Sequence, residues 1–311
     1  MKELETLIPL VRGNMLESII ILLVVGFLFL LSYKNLKLVQ VIYNWLTSIL
    51  WFLKKDYVIF ANFTKKEESI SEVKNQYVEL GYCAYKLDDR EMFNSDGSIE
   101  IETLESIVRK NRNKIRKSKK RMKRNDSFVY LGFPHVPIGF LNGYQFTDTG
   151  SVILHEYDGG NKETKAKGYF ELEKIYNTEI EIIDTTSSNE KFDQSVAIKI
   201  EQSFPINDDD IVDVLGETQI IKFGIKTPMR WSINNYAQVD LYQKKFEALL
   251  NKLNEQSVKN VHLFATTPTS LSFSLGRVIN HYNPDIVVYN YCNGKFDWGI
   301  NLKSGKIVEI S

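Results

Sequence analysis

Phe128-Val-Tyr-Leu-Gly-Phe-Pro-His-Val-Pro-Ile-Gly-Phe-Leu-Asn-Gly143 and Val261-His-Leu-Phe-Ala-Thr-Thr-Pro-Thr-Ser-Leu-Ser-Phe-Ser-Leu-Gly276 decide the fold. Each begins with strand character, turns through a loop and continues in helical spacing. Laid over one another without a gap, they match Phe140 with Phe273 and Gly143 with Gly276. With one residue inserted, the next strand-like stretch, Val152-Ile-Leu-His-Glu-Tyr157, falls on Ile286-Val-Val-Tyr-Asn-Tyr291. A near-constant offset across three consecutive elements favours duplication over chance likeness.

Working outward, strand and helix patterns alternate on both sides of these anchors. In the first half, strand-like Tyr57–Phe63 precedes a helical stretch at 67–80, strand-like Cys83–Leu87 and a long charged helix reaching Arg124. In the second, Val196–Glu201 is strand-like, Asp208–Leu215 helical and Gln219–Ile225 strand-like, followed by a long helix over 232–254. Phe296–Leu302 and Ile307–Ile310, split by Lys303-Ser304-Gly305, read as a terminal hairpin. Such alternation predicts an α/β fold with a doubly wound, largely parallel sheet. Residues 158–190 are a polar connection, which sets the halves at 56–190 and 191–311.

The N-terminal 55 residues differ in kind. Ile19 to Leu31 is an unbroken apolar run, and a second run spans Leu38 to Leu53 after the basic link Lys34-Asn35-Leu36-Lys37. With Ser32 and Tyr33 extending the first, each run is about 16 residues, or ~24 Å of helix, slightly short of a ~30 Å hydrocarbon core. Tyr33 and Trp51 stand where amphipathic rings favour headgroups. Glu3, Glu5 and Glu17 before the first run, with no small-residue cleavage site after it, argue against a removed signal peptide. The expectation is a membrane anchor of two transmembrane helices, 17–33 and 38–53. Gln40, Asn44, Thr47 and Ser48 form a polar stripe on the second helix. It can bond to the first helix of the same hairpin or to another copy, and both readings stay open.

Composition removes several function classes. The 39 basic and 39 acidic residues cancel, so net charge indicates no partner. Cys83 and Cys292 form no motif, which excludes a disulfide scaffold or a cysteine zinc site. The four histidines show no metalloprotease spacing, so no metal is expected. There is no Gly-rich dinucleotide fingerprint, P-loop or nucleophile elbow. The chain therefore reads as a receptor that is not an enzyme and carries no cofactor.

In open α/β sheets, ligands collect beyond the carboxyl ends of the strands. Four loops qualify: 62–66, 132–137, 202–206 and 265–270. Two of them lead into short helices whose free N–H groups suit phosphate. Candidate ligand contacts are Asn62, Phe63, Lys65, Phe133, His135, Pro137, Ser203, Phe204, Thr266, Thr267, Thr269 and Ser270. Lys65 offers charge and Phe63 and Phe133 offer faces for stacking, whereas Thr269 and Ser270 also serve as ordinary helix caps. Arg230 and Trp231, after the second strand of the second half, can pair with phosphate and stack on a base, or else pack on the surface and sheet.

Arg109 to Arg124 holds eleven Lys or Arg in sixteen positions with no acidic residue. As a helix it would carry charge on every face. Anionic lipid, or an acidic patch such as Asp208-Asp-Asp210 on a neighbour, fits it better than polynucleotide, because no aromatics are interleaved.

Val261-His-Leu-Phe-Ala-Thr-Thr-Pro268, Phe273-Ser-Leu-Gly-Arg277 and Val287-Val-Tyr-Asn-Tyr291 resemble the closing signature of SAVED domains. These are two fused CARF-like (Rossmann-like) units that sense cyclic oligonucleotides in bacterial CBASS anti-phage systems. The resemblance covers residues 56–311, with no family motif at 88–125. With the anchor, the chain looks like the two-transmembrane SAVED class of effector. The resemblance implies a cyclic di- or trinucleotide ligand made by a cognate nucleotidyltransferase. It further implies homo-oligomerisation on activation and disruption of the inner membrane, with the sensor cytoplasmic. A membrane-bound phosphodiesterase that degrades such a signal is the alternative.

Overall fold

The computed structural model describes residues 57–65, 70–78, 81–123, 126–147, 150–159, 167–173, 180–186, 191–230 and 232–310. The chain divides into two units, Met1–Lys54 and Lys55–Ser311, and every described residue lies in the second. Among the described residues no helix is long and apolar enough to cross a membrane. The two predicted spans, 17–33 and 38–53, lie outside them.

The first half contributes strands β1 (Tyr57–Phe63), β2 (Tyr82–Asp88), β3 (Ser127–Phe133), β4 (Ser151–Gly159) and β5 (Lys167–Glu171), in sheet order β2-β1-β3-β4-β5. The second contributes β7 (Ser195–Glu201), β8 (Gln219–Ile225), β9 (Asn260–Thr266), β10 (Asp285–Cys292) and β11 (Lys295–Asn301), ordered β11-β10-β9-β7-β8. The two orders are the same read from opposite edges. In both, the central strands are parallel and the last strand returns antiparallel. β6 (Ile182–Asp184) and β12 (Ile307–Glu309) extend the second sheet at its two edges, both antiparallel.

Two of these strands correct the reading of 158–190 as a plain connection. β5 pairs with β4 from Glu171 against His155 to Lys167 against Gly159, and β6 pairs with β8. The chain thus joins the second sheet by Ile182, ahead of the boundary drawn at residue 190.

Period-two alternation sorts each strand between two cores. Val58 and Phe60 of β1 face a shared central core, whereas Ile59, Ala61 and Phe63 face an outer one with Val73 and Tyr77 of helix α1 (Ser71–Tyr77). In β7, Val196, Ile198 and Ile200 face the centre, and Ala197 faces Ile211 of α4 (Asp208–Leu215). The centre holds α2 (Ile101–Arg121), α3 (Val136–Phe146), α5 (Tyr236–Glu255) and α6 (Thr269–Val278).

α3 and α6 cross reciprocally. A Cβ on Gly143 would lie 1.9 Å from the Phe273 carbonyl oxygen, and one on Gly276 would lie 2.1 Å from that of Phe140. Only glycine lets the two backbones approach so closely. The residues matched in sequence therefore meet each other's partner in space, as a pseudo-twofold axis requires. The Phe273 ring seals the contact by stacking on Tyr130 at 3.8 Å.

α2 differs from its sequence reading. Leu104, Ile107, Val108, Asn111, Ile115 and Ser118 are buried, so the helix has one inward stripe and its charge covers only the remainder. Arg112, Arg116, Lys119 and Lys120 line an outer groove of about 690 Å³ with Ile115.

Candidate functional site: a cleft between the halves

The strand tips of both halves meet at a cavity of about 380 Å³. Its wall takes Lys65, Phe133, Pro134, Val136, Glu156 and Tyr157 from the first half, and Ser203, Phe204, Arg230, Ile233, Thr267, Pro268 and Thr269 from the second. Val136 and Thr269 are the first residues of α3 and α6, so both helix N-termini open on it.

Equivalent backbone bonds shape the two rims. After β1 the chain turns so that Thr64 and Lys65 donate N–H bonds to the Phe133 carbonyl at 3.1 and 3.0 Å. After β7, Ser203 donates to the Thr266 carbonyl at 2.7 Å. Thr266 and Phe133 are matched positions of the repeat, so each half builds its loop on the same tie.

Side chains then make the rims different. Lys65 keeps exposed surface, yet protein crowds its ammonium; the shortage of water pulls its pKa below the usual lysine value, against the opposing pull of Cys292 and Asp297. Phe133 meets Tyr157 edge-on at 5.0 Å. Across the cavity, the Arg230 guanidinium lies over the Phe204 ring at 4.6 Å, and Phe204 is 44% exposed. Lys65 and Arg230 are the cations of this wall among the described residues.

Glu156 was not anticipated. It lies within β4 of the first half, past the stretch paired with β3, and is 8% exposed. Its Oε2 accepts the Ser270 backbone N–H at 3.0 Å and the Ser270 hydroxyl at 2.5 Å, so one half caps the other half's helix. Burial raises its pKa, and bonds from Ser270, Tyr157 and Thr269 oppose that rise. The free N–H groups read from the sequence as a phosphate seat on α6 are thus already held by a carboxylate. The matched residue of the second half is Asn290, an amide; this break in the repeat was the available signal.

Of the predicted site residues, Lys65, Phe133, Ser203, Phe204, Arg230, Thr267 and Thr269 come together on the cavity wall. Others lie elsewhere. Phe63 is fully buried in the outer core beside α1. Asn62 is buried and accepts a bond from Asn142 at 3.4 Å. His135 caps α3, donating its N–H to Thr64 Oγ1 at 2.7 Å and stacking on Phe93 at 4.3 Å; burial and Lys65 hold its pKa well below the histidine norm. Pro137 is buried within α3. Thr266 turns its hydroxyl onto the Phe204 carbonyl at 2.6 Å, and Ser270 is taken by Glu156. Trp231 lies outside the described residues. Among the described residues no group of three or more His, Cys, Asp or Glu is placed to hold a metal ion.

Two fused α/β lobes with an open cleft at their joined strand tips have the architecture in which α/β proteins hold ligands. The family model for the SAVED domain, "SMODS-associated and fused to various effectors sensor domain", matches residues 111–302. The chain belongs to the SAVED family. Among solved structures it is similar to the Acinetobacter baumannii Cap4 SAVED/CARF-domain containing receptor with the cyclic trinucleotide 2'3'3'-cAAA. That likeness has 17% identity and a TM-score of 0.52, over 76% of this chain and 50% of that one. The same receptor with 3'3'3'-cAAA gives 16% identity and a TM-score of 0.51 over the same shares. These likenesses are of fold, and the match spans about half the length of those receptors. No curated protein sequence matches the chain.

Proposed function

We propose that this chain is a membrane-tethered receptor for a cyclic oligonucleotide of two or three nucleotides, acting as an effector of CBASS-type antiviral defence. The observation that carries the reading is the cavity walled by both halves, with a cation from each, Lys65 and Arg230, beside the aromatic faces of Phe133, Tyr157 and Phe204. Phosphates on a ring need cations on opposite walls, and bases need flat apolar faces. Membership in a sensor family and the cyclic trinucleotides named with receptors of this fold support the ligand class. A volume of about 380 Å³ is near the lower end for ligand sites, roughly 300–1,000 Å³, so a ring would stand partly out of the cleft.

In this reading a cognate nucleotidyltransferase supplies the ligand, and binding favours an arrangement in which sensors stack into a homo-oligomer. The ligand shifts that equilibrium only as far as it prefers the stacked state. The apolar runs at 17–33 and 38–53 support a hairpin in the inner membrane with the sensor on its cytoplasmic side. Clustered hairpins then breach the bilayer and kill the cell. The basic groove on α2 suits anionic lipid beside the anchor.

Full-length protein in detergent, incubated with nucleotides extracted from phage-challenged cells, tests the reading. Recovery of an intact cyclic oligonucleotide is expected. Recovery of only linear products, or of no nucleotide, would overturn it.

A further inference from the structure

Glu156 poses a chemical question for any anion in the cleft. It lines the cavity, it comes from the first half, and its Oε2 takes both donors of Ser270 at the start of α6. Oε1 takes a long 3.4 Å contact from the Tyr157 N–H and keeps capacity to accept. The start of a helix favours negative charge, and here that preference is already met from within the chain. A second anion there would face a buried carboxylate.

The first half presents the opposite case. The residue matched to Ser270 is Pro137, which has no N–H, and the residue matched to Glu156 is the neutral Asn290. Lys65 lines this side.

We propose that Glu156 is the specificity-determining residue of the cleft. Its carboxylate bars phosphate from the α6 N-terminus, leaving phosphate to Lys65 and Arg230, and turns a neutral, hydrogen-bond-donating edge of the ligand toward the start of α6. A nearly symmetric pair of lobes thereby binds a ring in one orientation. The inference rests on the cleft being the ligand site.

The test uses inorganic tripolyphosphate, which offers charge without a base, titrated calorimetrically into the full chain in detergent. Glu156→Gln keeps the side-chain shape and removes the charge. It should gain roughly tenfold in affinity, the order expected when one like charge is removed from a partly solvated anion site. Ser270→Ala loosens the clamp and keeps the charge, and it should stay at the wild-type level. Unchanged affinity in Glu156→Gln, or an equal gain in Ser270→Ala, would overturn the proposal. A chain that binds no cyclic oligonucleotide yet shows this contrast would sink the receptor reading alone. Cyclic-nucleotide binding without the contrast would sink this inference alone.

Discussion

At Ser270 the second half's cleft helix donates an N–H and a hydroxyl to a carboxylate from across the cleft, while at the matched Pro137 the first half's helix has no N–H to give. The same strand order, the same loop tie and the same glycine contact therefore frame two unlike surfaces. Duplication fixes the backbone that makes a cleft, and single side chains at its rim set what each side accepts. Framework and rim can be broken separately.

The framework should fail hardest. Valine at Gly143 or Gly276 drives a Cβ into a carbonyl oxygen, at 1.9 or 2.1 Å, with no flexible side chain to yield. Each is expected to lose more than about 4 kcal/mol of stability or to give no folded chain. Urea denaturation checks this, and because the contact is reciprocal the two variants should behave alike.

Acid should weigh more on the first half, with two depressed histidines, than on the second, where the histidine lowered by burial is His262. His155 of β4 is fully buried; Tyr77 Oη is 3.2 Å from Nε2, and Nδ1 has no partner among the described residues. Burial lowers its pKa to about 4. Its match, Tyr289, is pushed up to about 12 and stays neutral throughout. A histidine depressed in the folded state contributes stability above its ordinary pKa of about 6.5, which is lost as pH falls toward 4. The loss is about 3 kcal/mol at most. Buried, depressed His135 adds in the same direction. Denaturation at pH 7 and pH 4.5 should show this loss, and His155→Gln should reduce it.

A smaller effect comes from the cap. Ser270→Ala removes a hydroxyl from buried Glu156 and should cost about 1–2 kcal/mol, whereas Pro137→Ala should change stability by less than about 1 kcal/mol. Smallest in stability is the outer groove. Arg116→Glu with Lys120→Glu should shift stability by under about 0.5 kcal/mol. The same pair should weaken sedimentation with vesicles containing phosphatidylserine at least tenfold, given ~1 kcal/mol per cation near such a surface.

Much of the framework was legible because strand runs here are strongly apolar and bounded by loops. Asp208–Leu215 and Gln219–Ile225 fall where the pattern put them. β5 and β6 were not, being short edge strands in a polar stretch, paired with residues far away in sequence. Phe63 was placed at the cleft for its position at a strand end, but strand parity with Ile59 and Ala61 sends it to the outer core. The basic helix hid its inward stripe because Leu104, Ile107 and Val108 stand ahead of the charged run, leaving that run few apolar anchors, Ile115 and Met122. Lys65, Phe204 and Arg230 could be chosen from loop position and chemistry. Glu156 could not be chosen on those grounds, since its role depends on a helix from the other half; its mismatch with Asn290 in the repeat is the one mark it leaves in the sequence.

The central claim, one ligand touched by both halves, is tested most directly by equilibrium binding of the recovered cyclic oligonucleotide to Lys65→Met, Arg230→Met and the double variant. Each single change should weaken binding roughly tenfold or more, the scale of a charge-assisted contact, and the double should abolish it. Wild-type affinity in either single variant, with the other half carrying all the loss, would contradict a shared cleft.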